Sequence, residues 1–170
     1  FNDLQSKARQ PGFKGTTLGV NVSTSIKVKT SYGKTYNAIA KITGSTRPEE
    51  YIVYTAHWDH LGIGKPDASG DSIYNGAVDN SGGVALLLEI AKAFSALKNK
   101  PERTVVFLAV TAEEQGLWGS AYYSQNPVYP LDKTVANINM DFTNTSGKMK
   151  DITVTGKGQS DLEDILGEEA

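Results

Sequence analysis

The chain has 170 residues, enough for one domain with a hydrophobic core. It is 39% hydrophobic and 21% charged with a formal net charge of −2, so no basic excess calls for nucleic acid or an anionic membrane. No apolar run reaches the length of a bilayer span, and the absence of cysteine removes disulfides, thiolate zinc sites and a cysteine nucleophile together.

The opening residues, FNDLQSKARQ, lack the charged-then-apolar order of a signal peptide. Residues 18–30 alternate around Val20, Val22, Ile26 and Val28, which predicts a half-exposed strand. SYGK then turns at Gly33 and TYNAIAKIT returns, so a hairpin at a sheet edge is expected. EYIVYTA (50–56) and RTVVFLAVTA (103–112) are continuous apolar runs rich in β-branched residues, the pattern of strands buried on both faces.

Between them, SGGVALLLEIAKAFSALKNK predicts a helix. Val84, Leu87, Leu88 and Ala91 form one apolar face, and Leu86, Ile90, Ala93 and Leu97 widen it, so a well-buried helix is expected. GLWGSAYYSQ predicts a shorter helix. TVANINMDF alternates, with Ala136, Ile138, Met140 and Phe142 opposite Asn137, Asn139 and Asp141. DITVTG (151–156) predicts a short strand and SDLEDILGEEA a final helix. Strands alternating with helices imply an α/β fold, a three-layer α/β/α sandwich around a mixed, mostly parallel sheet, in a single domain over residues 1–170.

Ligands of such sheets bind beyond the carboxyl ends of the strands. There the sequence places groups suited to hard cations: His57 and Asp59 after the first buried run, and Asp79 and Asn80 before the long helix. Glu113 and Glu114 follow the second run, and Asp141 closes the alternating strand. Without thiolates, any metal must rest on His, Asp and Glu.

Each has a plainer reading. A histidine after a strand is more often a loop residue, and Asp-Asn before a helix is usually an N-cap. Adjacent glutamates are usually solvated, as Glu49-Glu50 in a polar turn and Glu168-Glu169 in the polar tail are expected to be. Glu113-Glu114 differs because burying two carboxylates after VVFLAVTA is costly without compensating cations or donors. Together the four strand and helix ends favour a metal site. His57 and Asp59, two apart on an extended segment, point the same way, whereas His60 points elsewhere and reads as a structural loop residue.

The motifs AHWDHLG, IYNGAVDNSGGVALLLEIA, RTVVFLAVTAEEQGLWGS and VANINMDF, in that order, resemble the co-catalytic two-zinc aminopeptidases. That family includes secreted bacterial leucyl aminopeptidases and, more distantly, glutamate carboxypeptidases and glutaminyl cyclases. The resemblance implies that His57 and Asp141 bind one Zn2+, that Asp79 bridges two and that Glu114 binds the second. It implies Glu113 as general base, Asp59 as support for His57, and a cis peptide at Asp79-Asn80.

The family's second zinc takes a further histidine well past its last matched aspartate, and this chain has none after His60. The chain therefore reads as the N-terminal portion of a catalytic domain, C-terminally incomplete and without the protease-associated domain of some relatives. The expectation is a secreted or periplasmic enzyme that takes peptide substrates. The 170 residues alone should bind at most one zinc tightly, lack activity and tend to self-associate. The alternatives are a single-zinc, glutaminyl cyclase-like transferase and a non-catalytic domain that keeps the fold.

Overall fold

The computed structural model describes residues 2–142, 144, 147–148, 158 and 160–169, and the chain divides into two compact units, Phe1–Gly33 and Lys34–Ala170. The strand expected at 151–156 lies outside the described residues.

The first unit opens with helix α1 (Asn2–Ala8), on which Asp3 and Lys7 pair one turn apart at 2.8 Å. The strand and hairpin expected from residue 18 onward are not formed. Residues 18–30 carry no strand, and Val20, Val22, Ile26 and Val28 are 68–89% exposed. Alternation marks which side chains could share a face, but a strand also needs a backbone partner. The segment that should have closed the hairpin pairs elsewhere.

That segment is β1 (Ala38–Ile42). It runs antiparallel to β5 (Arg103–Val110), with Ala38 opposite Ala109 and Ile42 opposite Val105. In chain order between them lie β2 (Arg47–His57), the two-residue strands β3 (Gly62–Ile63) and β4 (Ile73–Tyr74), which pair with each other, and helix α2 (Ser81–Ser95). After β5 come α3 (Trp118–Gln125), a single 3-10 turn at Leu131–Lys133, β6 (Thr134–Asn139) and α4 (Leu162–Glu169). The main sheet has the order β1-β5-β2-β6, with β5 and β6 both parallel to β2.

The two apolar runs are the two inner strands, as their composition requires. Val53, Val106, Leu108 and Val110 pack with Tyr123 of α3 on one face. Ala56, Val105, Phe107 and Met140 pack with Leu87 of α2 on the other. Helices on opposite faces make the arrangement three-layered, and the mixed, mostly parallel sheet is as expected. The buried stripe of α2 is narrower than expected. Gly83 and Leu87 are buried, but Leu86 and Leu88 are 44% and 64% exposed. Only residues spaced three and four apart reach the sheet from a helix.

β2 begins earlier than expected and takes in Glu49 and Glu50, with a shift of register against β5 between Arg47 and Tyr51. Glu50 is no freely solvated control: its Oε2 accepts from Arg103 Nε at 2.5 Å. Because β2, β5 and β6 are parallel, His57, the residues after Val110 and those after Asn139 all emerge at one edge of the sheet.

Candidate metal centre

His57 is the last residue of β2, opposite Val110, and its side chain is 2% exposed. Its Nδ1 lies 2.9 Å from the backbone carbonyl of Asp59. A carbonyl only accepts, so Nδ1 carries the proton and Nε2 of the neutral ring presents a lone pair. Nε2 is buried without a hydrogen-bond partner, yet Asp79 Oδ1 lies 3.0 Å away and Asp141 Oδ1 3.4 Å away. Three electron-rich atoms facing one another repel unless a proton or a cation sits among them. Burial disfavours the charged imidazole, but the Asp59 carbonyl and the carboxylates of Asp141, Glu113 and Asp79 outweigh it and hold the His57 pKa above its ordinary value.

Asp79 reaches this point through the start of α2. Asn80 is the N-cap: its Oδ1 accepts from Gly83 N–H at 2.9 Å, and its Nδ2 donates to the Met140 carbonyl at 2.9 Å. The capping and the metal readings of Asp-Asn are therefore divided between the two residues. Asn80 caps, and Asp79 is left facing His57. Gly83 makes the approach possible, since a Cβ there would stand 2.4 Å from the Met140 carbonyl oxygen. The Asp79-Asn80 peptide is cis.

After β5 the backbone turns sharply. Ala112 has φ 52°, an uncommon conformation for a residue with a Cβ, and Glu113 and Glu114 follow directly. Asn37 fixes this turn, accepting from Thr111 N–H and donating to the Gly119 carbonyl. Phe142, just after Asp141, also has a positive φ of 55°. The Glu113 carboxyl sits above the ordinary carboxylate range, first through burial. His57 opposes the shift, and Glu114, Asp141 and Asp79 add to it.

His57, Asp79 and Asp141 form one group of ligand atoms within 4.8 Å, and His57, Glu113 and Glu114 form another. A third joins His60 to Asp79 and Glu114, which the sequence reading missed. His60 does not point away from the site; its Nδ1 lies 2.7 Å from Glu114 Oε1. Its place beside Asp59 in AHWDHLG was the available signal. Asp59 is also placed differently from the expectation. Its carboxylate Oδ1 is 3.9 Å from His57 Nδ1 and accepts from Glu113 N–H at 3.4 Å, while its backbone carbonyl holds the imidazole.

The fit to a divalent cation rests on the orphaned His57 Nε2 and the two carboxylate oxygens beside it. One imidazole and two carboxylates are a donor set that zinc accepts.

The sequence description of peptidase family M28 matches residues 37–170. The chain belongs to the M28 peptidase family. Among similar proteins is the mouse aminopeptidase NAALADL1, 32% identical over 145 residues, which are 78% of this chain and 17% of that protein. A Caenorhabditis elegans glutamate carboxypeptidase 2 homolog is 36% identical over 137 residues, 77% of this chain and 16% of that protein. The solved zinc aminopeptidase of Bacillus subtilis superposes with a TM-score of 0.51 at 26% identity, over 62% of this chain and 24% of that one. The M28 chain thus spans a quarter or less of the length of each. Among its described residues no helix is long and apolar enough to cross a membrane.

Proposed function

We propose that this M28 chain carries the metal-binding part of a zinc exopeptidase that removes amino-terminal residues from peptides. The observation that carries the reading is the buried, unpartnered His57 Nε2 between Asp79 and Asp141. In this reading His57, Asp79 and Asp141 hold one zinc, and Asp79 and Glu114 hold a second. The complete site has two ions, of which these 170 residues alone hold at most one tightly. Bound zinc supplies Lewis acidity, lowering the pKa of water and polarising a carbonyl.

The chain's own residues supply the rest. Glu113 accepts a proton from the attacking water at its carboxylate and delivers it to the leaving amine nitrogen. Its pKa, raised above the ordinary carboxylate value first by burial, makes Glu113 a stronger base than a free carboxylate. Asp59 supports it through the hydrogen bond from the Glu113 amide, so its positioning role extends beyond His57. A secreted or periplasmic location belongs to the same reading and rests on the resemblance. Cell fractionation with an antibody to this chain tests it.

The test of the chemistry uses a protein that continues this sequence to the length of its M28 relatives, assayed on aminoacyl-anilides with two equivalents of zinc. Glu113→Gln should keep both ions and cut turnover by ~10²–10⁴-fold. Activity within a few-fold of the parent removes Glu113 from the mechanism. One ion per chain together with amino-terminal cyclisation of glutaminyl peptides replaces the peptidase reading with a transferase.

A further inference from the structure

We infer that His60 is the positioning residue for Glu114: its Nδ1–H holds one carboxylate oxygen so that the other is presented to a cation. The inference rests on the zinc reading above and assigns a role to the histidine that reading leaves unused.

A carboxylate only accepts, so the 2.7 Å contact makes His60 Nδ1 the donor and Glu114 Oε1 the acceptor. That length is typical of a hydrogen bond to a charged acceptor. It is the spacing of a hydrogen-bonded pair, closer than the 3.0 Å and 3.4 Å at which His57 Nε2 meets Asp79 and Asp141. Zinc bonds of 2.0–2.1 Å in a tetrahedral arrangement hold neighbouring ligand atoms roughly 3.3 Å apart. His60 therefore stands behind Glu114 rather than beside it.

The imidazole is itself built into place. Gly76, at φ 65°, passes so close that a Cβ there would lie 2.9 Å from the His60 Cβ. The Tyr74 ring meets the imidazole edge-on, with ring centroids 6.4 Å apart. Both side chains of the pair are about four-fifths covered, at 20% and 19% exposure. The terminal torsion of a glutamate is broad and poorly fixed by its own rotamer preferences. A neighbouring Glu113 carboxylate and the nearby Asp79 add like-charge repulsion that would swing Glu114 outward. One hydrogen bond from a seated imidazole fixes the torsion and leaves Oε2 free.

The two histidines of AHWDHLG thus have opposite orientations and different tasks. His57 spends Nδ1 on the Asp59 carbonyl and offers Nε2 to the cation. His60 spends Nδ1 on the ligand.

The test titrates zinc into the 170-residue chain in competition with a chromophoric chelator, reading the tighter and weaker steps separately. His60→Ala should leave the tighter step unchanged and weaken the weaker one ~10–100-fold, the usual effect of losing a group that holds a metal ligand. His60→Asn places an amide N–H near the lost Nδ1–H and is a poor zinc ligand, so it should restore binding to within a few-fold of the parent. An unchanged weaker step in His60→Ala overturns the inference, and so does a His60→Asn variant as weak as His60→Ala, which would make His60 a direct ligand.

In the parent chain, long-range ¹H–¹⁵N NMR reads the tautomer without metal. A proton on Nδ1 of His60 is expected, and a bare Nδ1 overturns the inference even if a variant fails to fold. Failure of the parent to bind any zinc would instead remove the zinc reading, and the tautomer would still decide whether His60 holds Glu114.

Discussion

Asn80 and Met140 are joined by a buried hydrogen bond, Nδ2 of the one to the carbonyl of the other at 2.9 Å, across 60 positions of sequence. The bond ties the residue after Asp79 to the residue before Asp141. It fixes the separation of two carboxylates that come from different layers of the sandwich. Asn80→Ala removes this bond and the helix cap together. It should cost about 2 kcal/mol or more, since a cap is worth about 1 kcal/mol and an unsatisfied buried carbonyl about 1–3. Zinc affinity should fall with it. Chemical denaturation and zinc titration of the variant check both; unchanged affinity would show that the carboxylates are aligned without Asn80.

Asp79 faces His57 and Asp141 on one side and Glu114, held by His60, on the other. Asp79→Ala should therefore abolish tight zinc binding altogether rather than weaken one ion. Metal analysis after equilibrium dialysis gives the answer, and a variant that retains tightly held zinc would remove Asp79 from the bridge.

Much of this arrangement was legible in the sequence because hydrophobic runs report burial directly. VVFLAV and YIVYTA could only be inner strands, and parallel inner strands bring their ends to one edge. What the sequence could not supply was pairing and orientation. Val20, Val22, Ile26 and Val28 alternate correctly, but alternation is silent about a partner, and that segment forms no strand. The two-residue period placed His60 away from His57, but it holds only along a strand, and β2 ends at His57. Asp59 was expected to support His57; it does so through its backbone carbonyl, a choice of backbone geometry that residue types do not record.

The raised pKa of Glu113 has a consequence for the metal-free chain. A carboxyl whose folded pKa exceeds its unfolded value favours folding fully only below the unfolded value, about 4.3, and that contribution is lost as pH rises through the folded pKa. At neutral pH the charged Glu113 therefore works against the fold. In the presence of a chelator, Glu113→Gln should be more stable than the parent at pH 7, with the advantage shrinking toward pH 4. Denaturation curves at the two pH values test this, and a variant no more stable at pH 7 would contradict the assigned burial cost.

On its far side from β2, β6 has no strand partner among the described residues, and Val135 and Ile138 are 54% and 39% exposed. An open edge of this kind pairs readily with another copy. Sedimentation of the 170-residue chain should show concentration-dependent association, weakened by Val135→Lys. A monomer at all accessible concentrations would mean that this edge is protected.

The central claim is that His57 Nε2, Asp79 and Asp141 hold zinc, and it is tested most directly by the stoichiometry of tight zinc in the parent chain and in His57→Ala. Each protein is dialysed against buffered zinc and its metal content measured. One tightly held ion per parent chain and none in His57→Ala is the expected result. A parent that binds no zinc, or a His57→Ala chain that keeps its ion, would contradict it.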